Sequence, residues 1–204
     1  MKQALIFTLL ILMSGYVVAQ DDLLGQLLKE EKNDSALLPE RMIITQRMLW
    51  GEKGLLRTSG IAPLGIEQRK REMQTRRLFL KTHQALGFVT LGGMLAQGIV
   101  GSRLYKGNYK LDDAHEALAA GLNVTYSLTA AMSLFTPPPL IQRDRKISSL
   151  KLHKWLSIVH MSGMLATNIL ASRIEDNPSL KPAHRAAAFT TFASFAAAVV
   201  VIKF

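Results

Sequence analysis

Beyond Arg77 the chain carries four long runs free of Asp, Glu, Lys and Arg, at residues 82–102, 117–142, 155–172 and 186–202. A helix needs about 17–25 apolar residues to cross the hydrocarbon core of a bilayer, and each run approaches or exceeds that length. The runs are apolar around the whole helical circumference rather than along one stripe, which suits lipid on the outside and argues against a soluble four-helix bundle. The expectation is an all-α membrane protein, a bundle of four transmembrane helices. The second run ends at Pro137, Pro138 and Pro139, which cannot continue a helix.

The first and third runs are close copies. KTHQALGFVTLGGMLAQGIVGSR from Lys81 and KLHKWLSIVHMSGMLATNILASR from Lys151 agree at eleven of 23 positions, where unrelated apolar helices would share ~3 by composition. His83 falls on His153, and Ser102 and Arg103 on Ser172 and Arg173. The second and fourth runs align more weakly at an offset of 69, with Ala114-His115 on Ala183-His184. A two-helix unit repeated in tandem keeps its orientation, so the copies should be related by a pseudo-twofold axis along the membrane normal.

That geometry sorts the histidines. His83 and His153 open parallel helices and lie at one membrane face, whereas His115 and His184 open the antiparallel pair and lie at the other. About 20 residues at 1.5 Å each separate the two couples by roughly 20–30 Å. One histidine at a helix end is ordinarily a cap or an interfacial residue, but ionisable groups in membrane helices default to function. His160 is the asymmetric one: its repeat partner is Thr90, and it lies seven residues beyond His153 on the same helix face, either hydrogen-bonding near the first site or replacing His153 as a ligand.

The chain of 204 residues has no cysteine, which excludes disulfides, c-type haem attachment and thiolate-held zinc or iron–sulfur clusters. Paired imidazoles from facing helices suit the two axial positions of haem iron. Zinc would want three or four converging ligands, which at one face Asp112, Asp113 and Glu116 would have to supply beside His115. Small residues, Gly87, Gly92, Gly93 and Gly163 among them, let a planar macrocycle approach the backbone, and they equally serve ordinary helix packing. Lys81, Lys151 and Lys154 at one face, and Arg103, Arg173, Lys181 and Arg185 at the other, can hold propionates or snorkel to lipid headgroups. The net charge of +10 is read as topogenic and headgroup-facing, with membrane lipid and no nucleic acid as partner.

The N-terminus has a lysine, an apolar core at 4–12 and small residues ending at Ala19, the shape of a cleaved signal peptide spanning 1–19. Residues 20–77 read as a polar segment with an interfacial helix around RMIITQRMLWGEKGLLR, weakened by Gly51 and Gly54, and 78–204 as the membrane domain. The face with Arg69, Lys70, Arg71, Arg76, Arg77, Arg143, Arg145 and Lys146 is the more basic, and the positive-inside rule would make it cytoplasmic. A signal peptide followed by no crossing before residue 78 makes it external instead, and that assignment is preferred: a bacterial-type inner membrane, multi-pass, with a periplasmic N-terminal segment.

LHKWLSIVHMSGML with KTHQALGF, His115 and His184 resembles the cytochrome b561 family over residues 78–204. The resemblance implies four membrane helices and two b-type haems, with His83 and His153 as the metal ligands of one and His115 and His184 of the other. It implies single-electron transfer across or within the membrane between an unidentified donor and acceptor, and leaves open whether the chain is itself a transmembrane oxidoreductase. The flanking helices and basic ascorbate-binding segment of the ascorbate-linked members have no counterpart here. The opposing reading is a haem-free accessory or assembly subunit that docks a partner through residues 20–77.

Overall fold

The computed structural model describes residues 37–140 and 148–203, and the expected signal peptide lies outside them. Residues Leu38–Phe204 form one compact unit. Its order is α1 (Ile44–Trp50), α2 (Leu55–Thr58), α3 (Ile66–Tyr105), a 3-10 turn (Tyr109–Leu111), α4 (Asp112–Leu134), α5 (Ser149–Ala171), a second 3-10 turn (Pro178–Leu180) and α6 (Lys181–Lys203). No strand occurs among the described residues.

Three segments are long and apolar enough to cross a membrane: Ile66–Tyr105, Tyr109–Leu134 and Pro178–Ile202. The fourth expected span is a helix of adequate length, 23 residues, but it is not among these three; it carries Lys151, His153, Lys154, His160 and Asn168. The apolar side chains Val89, Leu95, Ile99, Val124, Leu165, Ile169 and Val200 are all exposed, as lipid-facing positions are. Serine and threonine hydroxyls turn back onto their own helices: Thr129, Thr167, Thr191 and Ser194 each bond the carbonyl four residues earlier, so these four present no free donor to an apolar surround.

Long helices pack as two hairpins, α3 with α4 and α5 with α6, and the hairpins meet where α3 lies along α6. Between α4 and α5 the polar ties come from side chains. Asn123 and Asn168 exchange amide hydrogen bonds of 2.9 and 3.0 Å, and Tyr126 reaches His160. Both hairpin bends pass through an asparagine into a 3-10 turn. Gly107, at φ 96, releases the chain from α3 into Asn108 and the first 3-10 turn. Asn177 opens the second, its side-chain oxygen accepting from the Ser179 amide, with Pro178 at the first position, where the missing N–H costs nothing. The shared signature N-x-x-L-x-x-A-H, from Asn108 to His115 and from Asn177 to His184, extends the weak alignment of the second and fourth runs.

The segment before α3 folds onto the end of α4. Helix α3 is continuous from Ile66, so the charged residues ahead of the first apolar run belong to the same rod, about 60 Å long at 1.5 Å per residue. The expected interfacial helix is two short helices, divided at Gly51 and Gly54. Its burial runs against simple amphipathicity: Gln46 and Arg57 are buried, while Ile44, Met48 and Leu55 are exposed. Carbonyls at the end of α4 and in the prolines after it lack helical partners, and side chains of this segment and of α3 supply them. Thr45 donates to Leu134 O at 2.6 Å, Trp50 Nε1 to Phe135 O at 3.0 Å, Arg76 to Pro137 O at 2.6 Å and Arg69 to Pro138 O at 3.1 Å. Glu72 lies fully buried between Arg57 and Arg69 and accepts from both.

Candidate functional site

The histidines expected to pair do meet. The His83 and His153 rings lie 6.1 Å apart, centre to centre, at an interplanar angle of 85°; His115 and His184 lie 6.5 Å apart at 78°. Each couple bridges helices whose backbones are not packed partners, α3 with α5 and α4 with α6. The imidazoles therefore project inward across the diagonals.

Three of these rings are fixed in the same way. His83 Nδ1 donates to Thr129 O at 2.8 Å, His153 Nδ1 to Ala198 O at 2.9 Å and His184 Nδ1 to Thr167 O at 3.0 Å. A carbonyl can only accept, so Nδ1 carries the proton and the lone pair stays on Nε2. That is the tautomer of a metal-ligating histidine, whose second nitrogen donates to an outer acceptor. Thr129 and Ala198 stand 69 positions apart, the same offset that aligns α4 with α6. The hydrogen bonds thus recur in register with the repeat.

His115 departs from the pattern. The counterpart of Thr167 is Gln97, whose amide nitrogen donates to His115 O at 3.0 Å and stands 3.4 Å from His115 Nε2. His115 Nδ1 and Gln97 Oε1 are buried without a hydrogen-bond partner. The ring presses on Gly101: a Cβ there would lie 2.8 Å from His115 Cε1 and 3.2 Å from Nδ1.

His160 sits between the couples, seven residues beyond His153 and seven before Thr167, or about 10.5 Å each way along α5. It is buried, 2.7 Å from the Tyr126 hydroxyl through Nδ1, with the Phe195 ring centre 5.0 Å away. Tyr126, Phe195 and Met94 form the buried apolar centre, lined by Leu91, Leu122, Met164, Phe192 and Val199. Thr90, the repeat counterpart of His160, is fully buried with its hydroxyl 3.2 Å from that of Thr129. The small residues also serve close packing: Gly93 faces Leu122, and Gly163 faces Thr191, so tightly that an added Cβ would overlap its hydroxyl.

The basic residues lie further out. Lys81, Lys151, Arg103 and Arg173 are exposed. Arg185 stacks over Tyr105, 4.7 Å from the ring centre, and ties the start of α6 to the end of α3 beside the second couple. Among the described residues no three His, Asp or Glu converge on a point that could hold a metal ion, so Asp112, Asp113 and Glu116 do not complete a zinc site around His115. Sequence reasoning missed Gln97, Gly101, Tyr126 and Phe195. The first, third and fourth were available as positions where the two copies differ or share an aromatic; the Gly101 contact depends on ring placement. Comparison with protein families, with curated proteins and with solved structures finds no match for this chain.

Proposed function

We propose that the chain is a membrane b-type cytochrome in which His83 with His153, and His115 with His184, each hold one haem b, and that it passes single electrons between the two sites. The observation that carries this reading is the geometry of the couples. Two imidazoles that held one iron between them, with a metal–nitrogen bond of about 2 Å and ~1.1 Å more from nitrogen to ring centre, would have ring centres roughly 6.2 Å apart; the observed values are 6.1 and 6.5 Å. Three of the four rings carry the proton on Nδ1, leaving Nε2 for iron. Two ligands per site suffice for haem, whereas the described residues offer no three-ligand cluster for a bare metal ion.

When bound, each haem supplies reversible one-electron storage; the protein fixes ligand orientation, basicity and dielectric. The helix pairs hold the imidazoles rigid, and the apolar belt of Met94, Phe195 and their neighbours keeps water from the space between the sites. Lys81, Lys151, Arg103 and Arg173 remain candidates for propionate contact from the two faces. The reading includes a four-helix bundle arisen by tandem duplication, supported by hydrogen bonds recurring at offsets of 69 and 70. It also includes a cleaved signal peptide, an inner-membrane location with a periplasmic N-terminal segment, and kinship with cytochrome b561. Donor and acceptor are separate molecules. In the rival reading residues 20–77 dock a partner subunit, but Thr45, Trp50, Arg57, Arg69 and Arg76 spend their hydrogen bonds within the chain.

Visible spectra of the purified protein before and after dithionite test the proposal, together with haem-to-protein stoichiometry. A Soret band, a reduced b-type α-band and two haems per chain are expected. Substituting His83 or His153 with Leu should leave one haem, and substituting His115 or His184 the other. A colourless protein, or single substitutions that remove both haems or neither, would overturn it.

A further inference from the structure

We infer that Gln97 is a positioning residue that makes the two sites unequal, weakening His115 as an axial ligand and raising the reduction potential of the haem it shares with His184. The inference rests on the two-haem reading and concerns a residue that reading does not use.

The copies provide an internal control. At three of four imidazoles the Nδ1–H meets a helix carbonyl, at Thr129, Ala198 and Thr167. An imidazole that donates to an acceptor is a more basic ligand, favours the ferric state and lowers the potential. At the fourth position the bond is missing. Gln97 stands where the repeat has Thr167, and its amide occupies the groove beside His115, bonded to the His115 carbonyl. Its nitrogen also lies 3.4 Å from His115 Nε2, the atom that would bind iron, so it competes weakly for the ligating lone pair. Two polar atoms stay buried and unpartnered as a result, His115 Nδ1 and Gln97 Oε1. Gly101, one turn on from Gln97, admits the ring against α3, where its counterpart Ala171 carries a Cβ. The acceptor at Thr167 is its backbone carbonyl, which Gln97 also carries; on α3 the Gln97 side chain and the close seat at Gly101 hold the His115 ring away from it. Electrons would collect at the His115–His184 site, which sets a direction that two identical sites could not.

The test is a potentiometric titration of the purified full chain, with the two haems resolved in the α-band and by electron paramagnetic resonance. The band that survives in His83→Leu assigns the second site. Gln97→Thr, which installs the residue of the other copy, should lower the potential of that haem by at least about 59 mV, the one-electron equivalent of a tenfold change in relative stability of the two oxidation states. The mirror variant Thr167→Gln should raise the potential of the same haem. The His83–His153 haem should stay fixed in both. Unmoved potentials in a protein with two haems would overturn the inference and leave the cytochrome reading standing, as would a shift confined to the other haem or loss of a haem from Gln97→Thr. A protein with no haem would overturn both.

Discussion

Replacing Tyr126 by Phe tests whether His160 is a structural partner or an iron ligand. Phe occupies the repeat-related position 195, so the ring fits, and the change reduces to removing one hydroxyl. In the structure that hydroxyl lies 2.7 Å from His160 Nδ1, and both residues are buried. Leaving a buried imidazole nitrogen unsatisfied costs about 1–3 kcal/mol, roughly a 5- to 150-fold shift in the unfolding equilibrium at 1.4 kcal/mol per decade. His160→Thr, which restores the residue of the other copy, should cost more alone because it also vacates space beside Phe195. The double variant should be less destabilised than the sum of the two, with a coupling of about 0.5–3 kcal/mol, since removing both partners leaves nothing unpaired. Denaturant unfolding in mild detergent measures the cycle, and haem stoichiometry is read on the same samples. Two haems should remain throughout. Loss of a haem in His160→Thr would refute the assignment of His153 as ligand, and strict additivity would refute the hydrogen bond.

Glu72→Ala should lower the thermal unfolding midpoint strongly, because it leaves Arg57 and Arg69 buried without their anion, a loss of about 3–5 kcal/mol; Glu67→Ala, which removes the exposed pair with Lys70, should leave the midpoint unchanged. Gly101→Val should drive a side chain into the His115 ring and deplete only the second haem, read as a fall from two haems to one in the pyridine haemochrome assay. Gly163→Ala should destabilise the α5–α6 hairpin without changing the haem count, because Thr191 can yield only by giving up its bond to Ala187 O.

The long elements were legible in the sequence because charge-free length and proline stops are local signals. Helices α3 and α6 contain the first and fourth predicted runs, α5 contains all of the third but Ser172, and α4 follows the second only to Leu134, stopping before Pro137 as expected. The pairing of His83 with His153 and of His115 with His184 was legible for another reason: a repeat converts sequence offset into spatial equivalence. What escaped was contact specificity. Nothing in RMIITQRMLWGEKGLLR announces that Arg57 will be buried while Ile44 and Met48 stay outside, because Arg57 is drawn in by Glu72 and Ala62 O, and Thr45 and Trp50 tie the segment to carbonyls 89 and 85 residues later. The long backward extension of α3 to Ile66 also escaped, since the charged residues of 66–77 resemble a solvated linker until Glu72 is seen to be enclosed by Arg57 and Arg69.

The departures from symmetry carry more functional information than the symmetry does. On the proposed reading a duplicated hairpin would build two equivalent half-sites, and equivalent sites would give an electron no preferred end. Four of the differences on this chain lie at or between the two couples. His160 faces the centre where the other copy has Thr90, Tyr126 where it has Phe195, and Gln97 and Gly101 where it has Thr167 and Ala171. Tyr126 and His160 bond each other, Gln97 Nε2 stands 3.4 Å from His115 Nε2, and Gly101 leaves the His115 ring room that a Cβ would take. Lipid-facing positions differ too, but there a change of apolar residue alters little. The buried unpaired polar atoms include His115 Nδ1 and Gln97 Oε1, both beside the one ring of the four that lacks a carbonyl partner. Leaving them unpaired costs about 1–3 kcal/mol each, and on the proposed reading that cost falls where it would tune the His115–His184 couple.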